Sequence, residues 1–233
     1  MATPPRAETL ARIPLFRSLS PADVAKLDRQ CAWKRAAAGH WLLDYQDASD
    51  DVFFVVAGAV RVIIQSGGRE VLLREIKAGE FFGELAAIDH QPRSSGIMAV
   101  LDVTIGRMPA SVFRSAVHEH PDVCDQLLTL LAGQIRMLAN RVHEFATLDV
   151  PHRIAAELLR LSRPDPKEPG RAIVSPPPIH AEIAARVSTR REAVARQLNA
   201  LERAGLIERR RGAIVLTDVD RLRRQVDEAA DEG

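Results

Sequence analysis

Gly79-Glu-Phe-Phe-Gly-Glu-Leu-Ala86, followed seven residues later by Arg93-Ser94-Ser95, is the stretch that decides how this 233-residue chain is read. Gly83 stands where an aromatic pair ends and a helix-forming run begins, which marks a tight turn opening a short helix. The first amides of such a helix, at the positive end of its dipole, favour an anion. Arg93 adds compensating charge and a planar fork of donors, and the Ser94 hydroxyl adds one more donor. Glu84 is acceptor-only when ionised, so it suits a sugar hydroxyl and not a phosphate. With Leu85, Ala86 and Ser95, these residues form a candidate site for a small cyclic phosphodiester. The plainer reading is a strand-end turn beside a surface arginine.

The segment around this stretch is rich in short apolar runs. Ser20-Pro21-Ala22-Asp23 reads as a helix start, with a serine cap, proline in the first turn and an early acid. From about Gly39 to Pro109 come Val52–Val56, Val60–Ile64, Val71–Ile76, Ile97–Val100 and Val103–Ile105, broken by glycine- or proline-containing turns. Short strands at such spacing predict an antiparallel sandwich or barrel. Ser66-Gly67-Gly68 predicts a hairpin tip.

After Pro121, apolar residues recur at Cys124, Leu128, Leu131, Ile135, Leu138, Val142 and Phe145, in alternating steps of four and three. That is a coiled-coil seam. Val123, Leu127 and Leu130 widen it at its start. The start therefore packs on the β segment, and the later seam (Leu128, Leu131, Ile135, Leu138, Val142 and Phe145) is a candidate dimer interface. Pro151 disfavours helical geometry at Val150 and predicts a break at Leu148–Pro151. A further helix follows from about His152 to Ser162, and Pro176-Pro177-Pro178 precedes two close helical segments.

In residues 179–204, Ile183, Val187, Val194, Leu198 and Leu201 supply the buried positions of two helices meeting near Ser188. This is the pattern of a helix-turn-helix. Ser188 or Thr189 can cap the second helix. Its open face carries Arg190, Arg191, Glu192 and Arg196. Arginine matches a guanine edge, and a glutamate between arginines suits cytosine N4 better than phosphate. Gly205 to Leu216 reads as two strands around an Arg209-Arg210-Arg211-Gly212 tip, a wing whose arginines can meet the DNA backbone. The expected division is residues 1–120, 121–150 and 151–233.

The overall charge is only +1, from 32 basic and 31 acidic residues. It divides into −2 over residues 1–150, +7 over 151–224 and −4 over the last nine. The neutral total argues against a histone-like protein, whereas the basic segment points to nucleic acid. Two isolated cysteines exclude a disulfide scaffold and speak against a zinc or iron–sulfur site. No metal or bound cofactor is expected. The chain has no membrane-length apolar run and no apolar signal core, so a cytoplasmic protein is expected.

The 79–95 stretch resembles the phosphate-binding cassette of cyclic-nucleotide-binding domains, with Ser95 in place of the usual alanine. From about Ile13 to Leu222 the chain resembles the Crp/Fnr superfamily of bacterial transcription regulators, most of all its cyclic-AMP receptor branch. The resemblance implies an α+β protein: an N-terminal antiparallel, jelly-roll-like β-roll that binds cyclic nucleotide, a long dimerisation helix and a C-terminal winged helix-turn-helix. It implies a non-enzymatic homodimer on a palindromic double-stranded operator, with RNA polymerase as a protein partner. Arg191, Glu192 and Arg196 match the spacing that reads a TGTGA-type half-site in that branch. His180, Ser188, Thr189, Arg190, Arg210 and Arg211 complete the expected DNA contacts.

The resemblance also leaves a choice of effector. The adenine-touching Thr-Ser pair of that branch falls here on Leu138 and Ala139, which cannot hydrogen-bond through their side chains. Asn140 or Arg141 can substitute. Ser94 stands where cyclic-GMP-selective domains often carry threonine. Cyclic AMP and cyclic GMP both remain open, as does an effector-independent or other-ligand DNA-binding protein of this type with a vestigial cyclic-nucleotide pocket.

Overall fold

The structure, a computed structural model, describes residues 8–66 and 69–231. It divides into two compact units, Met1–Gly133 and Gln134–Gly233.

The first unit opens with two short 3₁₀ turns, Leu10–Arg12 and Pro14–Phe16, and helix α1, Pro21–Asp28. Ser20 caps α1 through the Asp23 amide, with Pro21 in the first turn. Strands β1 (Ala32–Ala36), β2 (Trp41–Leu43), β3 (Val52–Ala57), β4 (Ala59–Ser66), β5 (Arg69–Lys77), β6 (Phe81–Phe82), β7 (Gly96–Ala99) and β8 (Val103–Met108) follow. Helix α2 (Glu84–Asp89) interrupts them between β6 and β7. All pairings are antiparallel, in two sheets ordered β1-β8-β3-β6 and β2-β7-β4-β5. The tip Gly67-Gly68 lies outside the described residues; β4 and β5 pair up to Ser66 opposite Arg69.

The unbroken apolar run of β3 has a simple cause, because both of its faces are covered. Phe53 and Val55 point into the core between the sheets with Val60, Ile76, Phe82 and Ile105. Val52, Phe54 and Val56 point to a second core with Leu10, Phe16 and Phe113. Helix α3 (Ala110–Glu119) supplies Phe113. The start of helix α4 (Pro121–Thr147) supplies Val123 and Leu127, so this end of α4 packs on the β-roll as expected. Gly58, at φ 82°, follows β3 where a Cβ would lie 2.2 Å from the Asp102 carbonyl oxygen. No larger residue fits that turn.

The second unit contains α5 (Val150–Leu161), β9 (Arg163–Pro164), β10 (Ala172–Val174), α6 (His180–Arg186), α7 (Arg191–Arg203), β11 (Ile207–Arg210), β12 (Ala213–Leu216) and α8 (Val219–Asp231). Its sheet runs β11-β12-β10-β9. Ile154, Leu158, Ile183, Val187, Val194, Leu198, Leu201, Ile214 and Leu222 form its core. The whole is an α+β chain with an antiparallel β-roll, a long helix and a C-terminal winged helix-turn-helix.

Three local expectations are corrected. The β segment starts at Ala32, ahead of Gly39, because edge strand β1 carries exposed polar residues. Val150 is helical: Pro151 sits in the first turn of α5, where its missing N–H costs nothing, and Asp149 caps the helix through the His152 amide at 3.0 Å. Neither Ser188 nor Thr189 caps α7. Its cap residue is Arg190, without a side-chain bond, while Ser188 takes a left-handed φ of 52° and the Thr189 N–H donates to the Ala184 carbonyl.

Candidate functional site

Gly83 ends β6 and caps α2 in the left-handed region, at φ 85°. A Cβ there would lie 2.7 Å from Arg93 Nη1 and 2.9 Å from the Asp51 carbonyl oxygen. The glycine therefore admits both the turn and the close approach of Arg93. Arg93 is only 3% exposed. Its Nη1 donates to the Gly83 carbonyl (2.8 Å), Nη2 to the Asp51 carbonyl (2.7 Å) and Nε to Ser49 Oγ (3.1 Å). Its guanidinium lies over the Phe53 ring, which stacks on Phe82. Backbone bonds between Arg93 and residues Gln46 and Asp47 complete the junction. Arg93 thus bolts the β2–β3 loop to the cassette turn. Three of its five N–H donors are used, which leaves two for a ligand.

Glu84, 6% exposed, opens α2. Burial pushes its carboxyl above the ordinary carboxylate range, with the charges of Arg74 and Arg93 pulling it back. Arg93 itself is held below its ordinary value by burial, against the carboxylates of Asp51, Asp47, Asp50 and Glu84. Leu85 and Ser94 are exposed, Ser95 is half-buried and Ala86 is buried. Sequence reasoning missed Ser49, Asp51 and Arg74. Arg74 pairs across from Val62 and lies two residues from Ile76, which faces the core between the sheets, so it belongs to the inward face. Its alternation along β5 was the available signal. Ser49, Asp51 and Phe53 also line a cleft of about 370 Å³ between the edge strands β1 and β2. Glu84 does not line that cleft.

In the second unit, α6 and α7 form the helix-turn-helix. Val194, Leu198 and Leu201 are buried, and Arg191, Glu192 and Arg196 are exposed. Glu192 and Arg196, four residues apart, project within about 40° of each other, opposite the buried stripe. Arg191 Nε donates to Glu192 Oε1 at 2.9 Å. His180, Ser188 and Arg190 are exposed and Thr189 is half-buried.

The wing arginines differ in what they do. Arg209 is tied to Glu202 and Asn199 of α7, so it straps the wing to that helix. Arg210 pairs with Glu208 on its own strand. Arg211 is exposed and has no ion-pair partner among the described residues.

The family model of the cyclic nucleotide-binding domain matches residues 33–120. That of the Crp-like helix-turn-helix domain matches residues 152–225. The chain belongs to the Crp/Fnr superfamily of transcription regulators.

This Crp/Fnr protein is 29% identical over 220 residues to the CRP-like cAMP-activated global transcriptional regulator of Mycobacterium tuberculosis, covering 94% of this chain and 98% of the relative. It is 29% identical over 182 residues to the cAMP-activated global transcriptional regulator CRP of Salmonella typhimurium, covering 75% and 84%. Its fold matches the CooA mutant (N127L/S128L) from Carboxydothermus hydrogenoformans, with a TM-score of 0.78 at 22% identity over 92% and 95% of the two chains.

On α4 of this Crp/Fnr chain, Leu138, Ala139 and Asn140 are exposed. Arg141 is committed elsewhere in its own unit, to Glu157 at 2.9 Å and to the Arg186 carbonyl. No helix among the described residues is long and apolar enough to cross a membrane.

Because Glu84 has a raised pKa, the folded chain binds more protons than the unfolded one between the ordinary value of 4.5 and the raised value. Its contribution to stability therefore falls as pH rises through that window. Glu84→Gln removes this burden. Thermal melts from pH 4.5 to 7 should show the variant gaining on the parent as pH rises. A stability difference between variant and parent that does not change over this pH range would contradict the assignment.

Proposed function

We propose that this chain is a homodimeric regulator whose DNA binding responds to a cyclic nucleotide. The observation that carries the proposal is the buried Glu84–Arg93 arrangement around the Gly83 turn, in a chain that also presents Arg191, Glu192 and Arg196 on a helix-turn-helix. In this reading the two free N–H donors of Arg93, the Ser94 hydroxyl and the Gly83–Ala86 amides receive the cyclic phosphate, and Glu84 accepts from the ribose. Ser95 borders the phosphate. Arg74 offsets the charge of Glu84 while it does so.

The base is met by the exposed 138–140 segment. Arg141, engaged with Glu157, leaves Asn140 as the polar group of that segment. Cyclic AMP is favoured by the cAMP-activated relatives, and the Ser94 hydroxyl suits cyclic GMP as well. The operator is a palindrome of TGTGA-type half-sites about 34 Å apart, one helical turn. Arg191 and Arg196 read guanine edges, and Glu192 accepts from cytosine. Arg210, Arg211, His180, Ser188, Thr189 and Arg190 lie at or near the backbone.

Dimerisation is supported by apolar side chains that α4 leaves in water. Ile135 is 67% and Val142 70% exposed, with Leu128, Leu138 and Phe145 on the same seam and Leu131 half-buried beside them. A stripe of this kind is characteristic of an interface.

Titration calorimetry with cyclic AMP and cyclic GMP should give saturable heat with at least one of them, and Arg93→Ala should lose it. No heat with either on the folded protein would sink the cyclic-nucleotide reading and leave an effector-independent or other-ligand regulator. Arg196→Ala should weaken operator binding by about 1–3 kcal/mol and relax specificity at one base pair. A uniform loss across sequences would make Arg196 a backbone contact. Ile135→Glu should convert the dimer to a monomer in sedimentation analysis, and a persisting dimer would place the interface elsewhere.

A further inference from the structure

The break expected at Leu148–Pro151 falls at Leu148–Asp149, between α4 and α5, yet a buried ion cluster spans it. Glu157 on α5 is 1% exposed. Its Oε2 accepts from Arg141 of α4 at 2.9 Å and from Arg160, and its Oε1 lies 3.6 Å from Arg186 Nη1. Arg160 also pairs with Glu144 of α4, and Arg141 lies 3.9 Å from Glu144. Arg141 reaches further and donates to the carbonyl of Arg186, the last residue of α6.

The guanidinium groups of Arg141 and Arg153 both lie over the Phe145 ring, at 5.5 and 5.0 Å from its centre. Arg153 donates to the Leu148 carbonyl across the break. Its buried Nε has no hydrogen-bond partner among the described residues, so the ring contact and the carbonyl hold it. A buried carboxylate is tolerated only when it is paired and fully bonded. Removing one member of such a cluster strands the others, so the pieces stay together.

We infer that Glu157 is a positioning residue that clamps the last turns of α4 to α5 and to the end of α6, closing the joint at Leu148–Asp149. The division into compact units agrees with this. It falls at Gly133–Gln134, inside α4, and leaves the end of α4 with the helix-turn-helix. Positions 138–145 then move with α6, whose final carbonyl precedes the turn into α7. Val142 and Phe145 belong to the seam, while Arg141 and Glu144 belong to the clamp. A shift of the seam therefore reaches the recognition helix through side chains, without a flexible joint. This inference rests on the cyclic-nucleotide reading for the signal but not for the clamp.

The experiment uses the full-length protein and Glu157→Gln, with Arg160→Gln, which removes bonds to both Glu144 and Glu157 from a more exposed position, as a second variant should the first not fold. Operator affinity is measured with and without the effector found by calorimetry. The parent's ratio of affinities is expected in the range of typical couplings, about 5–150-fold. In the variant it should fall towards one, while nucleotide affinity stays unchanged. Amide exchange over residues 141–150, measured without nucleotide, should quicken severalfold. An unchanged ratio, or equal weakening of DNA binding in both conditions, would overturn the inference, and so would unchanged exchange. A parent with no nucleotide response would instead refute the cyclic-nucleotide reading, and the exchange measurement would still judge the clamp.

Discussion

The buried guanidinium of Arg93 is the constraint around which the N-terminal unit is arranged. A fixed positive charge taken out of water must be met by oxygens. Here they come from Ser49, the Asp51 carbonyl and the Gly83 carbonyl. Satisfying it fixes the β2–β3 loop, requires a glycine at the start of α2 and lays the charge over Phe53. The same arrangement leaves Glu84 with a desolvation cost that the nearby arginines only partly offset. Under the proposed function, stability and ligand binding are in tension in this one small region, as expected where a buried polar site is kept for function.

The second unit solves a similar problem with the opposite charge. Glu157 is surrounded by Arg141, Arg160 and Arg186, drawn from three helices. Each unit therefore combines apolar packing, on both faces of β3 in the first and in one core in the second, with an ionic centre that sets the relation of its parts. The ionic centres add little as simple stability terms, because desolvation consumes most of their attraction. Their value is geometric, since guanidinium and carboxylate groups bond in few orientations. The wing shows the same economy, with Arg209 fastening it to α7.

Legibility in the sequence followed the strength of the local signal. The apolar runs of β3, β4, β5, β7 and β8 stand out because burial selects β-branched and aromatic residues. β1 and β6 do not, one being an edge strand with polar side chains and the other only two residues long. The coiled-coil spacing after Pro121 identified α4, and the glycine turn with Arg93 identified the cassette. Arg74 was hidden because a charged residue in a strand reads as outward-facing until the register opposite Val62 is known. Val150 is helical against the local effect of Pro151 because Asp149 caps the helix that Pro151 opens, a pairing the residue before a proline does not show by itself.

By itself the sequence determined the classes of element, the Crp/Fnr resemblance and the residues able to meet a phosphate or a base edge. Those properties reside in side-chain chemistry and in spacings of a few residues. Only the tertiary structure decided that Arg93 is a structural bolt as well as a candidate ligand group. It also decided that Arg209 belongs to the scaffold, and that Arg141 turns towards Glu157 and the end of α6. These pairings join residues 7 to 45 positions apart. Which long side chain meets which buried partner depends on how the elements pack, and no periodicity along the chain records it.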